Sequence, residues 1–399
     1  MKRLLWIGDA VVSTGFARCT HKTLEAFRDD WDIHVLGLNY KGDPHPYPYD
    51  IYPAHTGGDA FGVRRTAVLV SRLKPDVVII QNDPWNVPAY MKQTGNAPVI
   101  ASMPVDGLNC RGAALNGLTH AIFWTNFGAQ EARRGGYAGT SGVVPLGVDL
   151  NVYKPTPRAE ARERLGLPGS VRDAFIVANV NRNQPRKRLD LTIEYFWRWV
   201  RSRGIDDAFL FLHVAPTGEE GCDVQQLMQF YGLANRLIIC EPDIGTGVSE
   251  EELANTYSCF DVQVSTSQGE GWGLTTMEGM ACGIPQIVPE WAALGEWARG
   301  AATLVHCSAT AVTPNGVNAI GGIADRGEFL VKLDELYSFE SKRGEATKAG
   351  LELVGRPEYR WESVAEKFRT EVETATGGFK LVDFGSEPLT LNRHSTVVK

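Results

Sequence analysis

Short apolar runs alternate with helical stretches along most of this chain, and that alternation restricts the fold more than any other feature. Residues 3–8, Trp31–Leu38, Val77–Ile80, Pro98–Ser102 and Ala121–Thr125 read as buried strands. A helix from about Gly15 to Phe27 and another ending at Lys74-Pro75 lie between them. Strands separated regularly by helices pair in parallel and need cover on both faces of the sheet. After a polar stretch from Tyr153 to Arg172 the pattern restarts. Strands are expected at Ala174–Val180, Ala208–Val214, Arg236–Cys240, Asp261–Ser265 and Pro285–Val288. The helices between them are Asp190–Arg203, Val224–Tyr231, Ser249–Ser258 and Leu274–Cys282. Ser249 with Glu252 has the spacing of a capping box at one helix start. Asp43–His55, rich in Pro, Tyr and His, reads as a surface loop, and the tail from Thr376 has little periodicity. The expectation is an α/β chain with two parallel-sheet domains joined near residues 150–172.

Composition narrows the function classes. The 399 residues are 43% hydrophobic and 22% charged, enough apolar material for two ordinary cores. No apolar run approaches the ~20 residues of a membrane span, and Leu4–Ile7 is too short for a secretion signal. The seven cysteines are odd in number and lack a C-x-x-C spacing, which favours a reduced, cytoplasmic setting over a disulfide or zinc framework. The net charge is −7. Residues 1–155 carry 15 cationic and 13 anionic side chains, so the first half is mildly basic and the second acidic. A basic first half is a weak pointer to an anionic partner.

Two segments carry chemistry. In Ser265-Thr-Ser-Gln-Gly-Glu270-Gly-Trp-Gly-Leu274 a buried strand ends, a glycine-rich loop follows and a helix begins. Glycines let a ligand approach the backbone, and the free amides of a helix start attract an anion. Glu270 in the loop and Glu278 one turn into the helix both lie at the strand's carboxyl edge, where open α/β sheets bind ligands. A carboxylate suits the vicinal hydroxyls of a ribose or a sugar. In Asn179-Val-Asn-Arg182-Asn-Gln-Pro-Arg186-Lys187-Arg188 the next domain's first strand ends in four cations, a pattern that suits a diphosphate.

These motifs resemble the retaining glycosyltransferases of the GT-B fold, the group that includes sucrose synthases, glycogen synthases and bacterial mannosyltransferases. That family carries an E-x7-E pattern, here Glu270-Gly-Trp-Gly-Leu-Thr-Thr-Met-Glu278-Gly-Met-Ala-Cys-Gly-Ile-Pro285. Its G-R-x4-K-G clamp is matched by Arg182 and Lys187, with Asn181 and Arg188 in place of both glycines. Val144-Pro-Leu-Gly-Val-Asp149 with Tyr153-Lys-Pro155 resembles its hinge, and Tyr359-Arg-Trp361-Glu362 the start of its C-terminal crossing helix. The resemblance implies two facing Rossmann-like domains. Residues 1–150, completed by a helix at about 358–375, would hold the acceptor. Residues 151–357 would hold a nucleoside-diphosphate sugar, and residues 376–399 form a tail. It also implies catalytic roles for Arg182, Lys187 and Glu270. Donor contacts would come from Glu278, Gly271, Trp272, Gly273, Leu274 and Thr275, and from Gly15 in the first domain. The sugar nucleotide is a co-substrate, and neither a cofactor nor a metal is expected.

The first domain departs from that pattern. Ser13-Thr14-Gly15 stands where the family often has two glycines. Met103-Pro104-Val105-Asp106-Gly107 lacks the family's histidine, which makes Asp106 the candidate sugar-proximal carboxylate. Asp83 and Trp85, at another strand end, and Tyr47 in the Pro-Tyr loop are candidates for acceptor binding. The acceptor would be a glycan or lipid-linked hydroxyl. A hydroxymethylated pyrimidine in DNA is the alternative, because such an enzyme needs a basic groove and a flipped base. Outside this class, a sugar-nucleotide epimerase or a non-catalytic nucleotide-sugar binding protein would have the same architecture.

Overall fold

A computed structural model describes residues 1–55, 57–214, 220–241, 247–313 and 317–377. The expected tail lies almost wholly outside the described residues.

The first sheet contains β1 (Lys2–Gly8), β2 (Trp31–Gly37), β3 (Asp50–Pro53), β4 (Val77–Gln81), β5 (Val99–Met103), β6 (His120–Phe123) and β7 (Ser141–Val143). Their order is β3-β2-β1-β4-β5-β6-β7, and every pairing is parallel. The second sheet contains β8 (Phe175–Val180), β9 (Ala208–His213), β10 (Leu237–Cys240), β11 (Val262–Val264), β12 (Gln286–Pro289) and β13 (Thr303–Val305). It runs β10-β9-β8-β11-β12-β13, again parallel throughout. In both sheets the strand order reverses beside the first strand, so the carboxyl ends of β1 and β4, and of β8 and β11, flank a crevice. The central strands are apolar and buried along their length, as strands covered on both faces must be.

The structure holds elements that the sequence expectation lacks, β7 and β13 among them. The Asp43–His55 segment is not all loop, because Asp50–Pro53 adds β3 to the sheet edge, in register with His34–Gly37. An edge strand tolerates Pro53, whose missing N–H faces away from the ladder. An antiparallel hairpin, β14 (Cys307–Val312) and β15 (Ile320–Ala324), follows β13. The stretch between the sheets contains two short helices, Arg158–Arg164 and Gly169–Arg172. Buried Arg162 ties the first of these to the second sheet, donating to Asp261 at 2.8 Å and to three backbone carbonyls.

The chain crosses between the sheets twice, and the crossings touch. Val148 N–H donates to the Tyr359 carbonyl at 3.0 Å. Beyond it the helix Trp361–Ala375 returns to the first sheet and packs against the helix Gly15–Leu24. Phe368 meets Trp6 at 5.7 Å and Phe27 at 6.4 Å between ring centres. Arg369 pairs with Asp30 at 2.6 Å, and Glu371 accepts from His120 at 2.9 Å. The architecture is GT-B.

Candidate functional site

The crevice between the sheets is closed by direct contacts. Leu108 and Ile320 exchange backbone hydrogen bonds of 2.9 and 3.1 Å, which ties the β14–β15 hairpin to the first domain. Glu296 caps the helix Asn126–Arg134 across the gap, accepting from the amides of Asn126 at 2.9 Å and Phe127 at 2.6 Å. At Gly271 a Cβ would overlap Pro104, and at Gly269 one would overlap the Asp106 carbonyl. Glycine at these two positions lets the loop before the helix Leu274–Ala281 lie flush against the end of β5.

The clamp segment sits opposite that loop. After β8 a single 3-10 turn, Pro185–Lys187, aims two cations inward. Arg188 then adopts φ +49°, a left-handed conformation that favours glycine, at the position where the family clamp has its second glycine. Its guanidinium turns away to Asp190 at 2.8 Å. Lys187 donates to Glu270 at 2.6 Å and Arg186 donates to Glu270 at 3.0 Å. Arg186 also reaches Asp106 of the first domain at 3.2 Å. Burial alone would raise the Glu270 pKa, but Lys187 and Arg186 outweigh it and hold the carboxyl at about 2.

On the first-domain side the carboxylates crowd. Asp83 is pushed up by burial and by Asp106 and Asp9, against the pull of Arg186. Asp106 is raised by burial as well, opposed by Arg186. Asp9, at the end of β1, is raised by burial while Thr14, donating at 2.7 Å, and the nearby Arg182 charge hold it down. The site thus gathers Arg182, Lys187, Glu270, Asp106 and Asp83 with Arg186, to which the sequence expectation assigns no individual role, and with Asp9, which it does not single out. Arg186 was visible as one of four cations, but only the 3-10 turn decides which of the four point inward.

The two helix starts converge in the same crevice. Thr14 caps the helix Gly15–Leu24, accepting from Ala17 N–H at 3.1 Å. A Cβ on Gly15 would lie 2.9 Å from the Leu274 side chain, at the start of the opposing helix. Gly273 precedes that helix at φ +94°. Thr275 lies in the first turn, half-buried, and its carbonyl accepts from Gln263 at 3.0 Å. The Trp272 ring turns away from the crevice and stacks on Trp297 at 5.2 Å.

Glu278 lies further along, only 3% exposed. Its Oε2 accepts from the Tyr257 hydroxyl at 2.8 Å, and its Oε1 is paired with Arg18 of the first domain. Arg18 also meets Glu250 at 2.5 Å. This cross-domain triad was invisible in the sequence, since Arg18 is 260 positions from Glu278. Tyr47 belongs to this end of the crevice. Its ring stacks on His21 at 3.6 Å, and it feels the Glu250 charge. No described contact joins it to Asp83. Trp85 is half-buried in the turn after β4, where Asn82 accepts from the Asp83 N–H at 2.8 Å and from Asn86 at 2.9 Å.

Residues 172–315 match the family model described as glycosyl transferases group 1. Curated relatives align over part of the chain. The D-inositol 3-phosphate glycosyltransferase of Geodermatophilus obscurus is 37% identical over 150 residues, 36% of this chain and 32% of its own length. Its counterpart in Nocardia farcinica is 32% identical over 193 residues, 46% of this chain and 40% of its own. The matches therefore span well under half of those relatives. Among solved structures, sucrose-phosphate synthase from Thermosynechococcus elongatus superposes with a TM-score of 0.74 at 18% identity, covering 95% of this chain and all of that one. Anabaena HepE, solved with UDP-glucose, superposes with a TM-score of 0.71 at 15% identity over 94% of this chain and all of that one. The group 1 match covers the Arg182–Arg188 clamp and the Glu270–Glu278 segment. The Asp83–Asp106 side lies outside it. Among the described residues no helix is long and apolar enough to cross a membrane.

Proposed function

We propose that this chain is a retaining glycosyltransferase that moves a sugar from a nucleoside-diphosphate sugar to an acceptor hydroxyl. The observation that carries the reading is the convergence of Arg186, Lys187 and Glu270 on Asp106 of the other domain, within the group 1 segment. In this reading residues 151–357 form the donor domain. Residues 1–150, with the returning helix, form the acceptor domain.

Arg182, Lys187 and the paired helix starts hold the diphosphate and take up the charge that develops on it. Glu278 takes the ribose hydroxyls, and Glu270 takes hydroxyls of the transferred sugar. The acceptor oxygen bonds to the anomeric carbon on the face from which the diphosphate leaves. The carbon–oxygen bond to phosphate breaks, and the acceptor proton passes to the departing phosphate oxygen. Asp106 lies beside the sugar and Asp83 faces the acceptor. Arg186 neutralises the carboxylates, which would otherwise repel a diphosphate. UDP is the first nucleotide to test, because HepE was solved with UDP-glucose. A glycan or lipid-linked acceptor is the expected class.

A thermal-shift screen with UDP-, GDP-, ADP- and TDP-sugars tests the donor site. A ligand at ~100 times its dissociation constant stabilises by about 2.7 kcal/mol. One nucleotide should shift the melting point, and Lys187→Ala and Glu278→Ala should each abolish the shift. The same donor is then offered with glycan, lipid and hydroxymethylated-DNA acceptors. Absence of a shift with any of the four would overturn the donor reading. Turnover of the donor without an acceptor would favour an epimerase.

A further inference from the structure

Resting on the donor-site reading above, we propose that Tyr257 is a positioning residue that makes the site select a ribonucleotide, by fixing the Glu278 carboxylate for the ribose hydroxyls. Glu278 is buried, and a buried carboxylate keeps its charge and orientation only where hydrogen-bond donors hold it. Among the described residues it has two side-chain partners, and they differ in kind. Arg18 comes from the opposite domain and departs whenever the domains separate. Tyr257 ends the helix Glu250–Tyr257 of the same domain and stays.

The phenol suits this task. Its ring is fully buried, 6.3 Å from Phe260 and 6.2 Å from Tyr153 between centres, so its hydroxyl has little freedom. Burial and the Glu278 charge push its pKa well above the ordinary value, which keeps it a donor across the working pH range. A carboxylate offers about four acceptor positions on two oxygens. Tyr257 takes one of them on Oε2 and thereby sets the plane of the group. Oε1, to which Arg18 reaches, and the rest of Oε2 are left for two vicinal hydroxyls. A nucleotide lacking those hydroxyls gains nothing from that arrangement.

Tyr153 provides a matched control. It is 1% exposed and senses the same Glu278, Arg18 and Glu250 charges, yet its hydroxyl has no hydrogen-bond partner among the described residues. Removing that hydroxyl changes the volume as Tyr257→Phe does, without touching the carboxylate.

The experiment is calorimetric titration of the full chain with UDP and with 2′,3′-dideoxy-UDP. If UDP does not bind, GDP and ADP are used with their own dideoxy counterparts. Wild type should prefer the ribonucleotide by more than tenfold. Tyr257→Phe should weaken UDP about tenfold, as loss of a hydrogen bond to a charged group does, and leave dideoxy-UDP within twofold. Tyr153→Phe should change neither. Equal weakening of both ligands by Tyr257→Phe, or no weakening of either, would overturn the proposal. Equal wild-type affinity for both ligands would overturn the ribose contact itself. Failure of wild type to bind any of the diphosphates would overturn the donor reading and this inference with it. Should Tyr257→Phe not fold, Tyr257→Met, which also lacks the hydroxyl, takes its place, and the same loss of discrimination is expected.

Discussion

Each end of the crevice is bridged by one arginine, and the two reach in opposite directions. Arg18 extends from the first domain to Glu278 and Glu250 of the second. Arg186 extends from the second domain to Asp106 of the first. At the Glu278 end one cation serves two carboxylates, and phenols surround it. At the Glu270 end two cations of the same turn sit among carboxylates from both domains, several of which raise one another's pKa. Glu278 is held by a neutral hydroxyl and one cation, Glu270 by two cations. The first arrangement is suited to reading a neutral diol. The second is suited to a reaction in which negative charge moves.

The difference can be broken by substitution. Lys187→Ala should lower turnover by ~10²–10³, the usual cost of losing a preorganised group at a leaving charge. Arg18→Met should leave turnover at saturating donor within a few-fold, and steady-state kinetics separates the two. Next in size, Gly271→Ala places a Cβ on Pro104. It should hold the domains apart and lower turnover by ~10², since displacements of about 1 Å carry that cost. Small-angle scattering should report an expanded particle.

Stability sharpens the same contrast. Arg186→Met leaves Asp106 without its cation and removes one of the two on Glu270, and should cost about 3 kcal/mol by urea unfolding. Arg18→Met should cost about 1–2 kcal/mol, because Tyr257 still holds Glu278. The smallest effect is in pH dependence. Glu270 is depressed in the folded state, so its contribution is present above the ordinary glutamate range and is lost as pH falls towards about 2. Asp83 and Asp106 are raised, so the folded state holds protons that the unfolded chain releases, and stability falls as pH rises through their raised values. Asp83→Asn should therefore raise stability by about 1–2 kcal/mol at pH 8 and by less at pH 5, read from thermal melts.

What the sequence made legible follows from range. The strands, the Ser249–Glu252 capping box and the glycine-rich loop are encoded within a few residues, and the structure has them close to the expected bounds. Asp50–Pro53 was read as loop because Pro and Tyr alternate up to it, and only its place at a sheet edge makes a strand of it. The β14–β15 hairpin escaped because β14 is exposed or half-buried along its length and β15 is interrupted by Gly321 and Gly322, so no apolar run marks them. Arg18, Asp9 and Tyr257 carried no local signal. Arg18 meets Glu278 only because the two sheets face each other, whereas Tyr257 reaches Glu278 within its own domain through tertiary packing that no short-range pattern marks. Tyr47 was grouped with Asp83 on chemistry alone, whereas the stack on His21 places its ring beside Glu250.

The returning helix Trp361–Ala375 sets an order of events during synthesis. Trp6 and Phe27 are covered by Phe368, so the first-made sheet keeps an apolar face bare until nearly the last described residues have left the ribosome. At ordinary elongation rates the roughly 200 residues between take about 10–40 s. The second unit has the whole of that interval to fold as a self-contained insertion. The unit made first is therefore finished last, and a ribosome that stalls before Phe368 releases a chain with a formed second half and an uncovered first half.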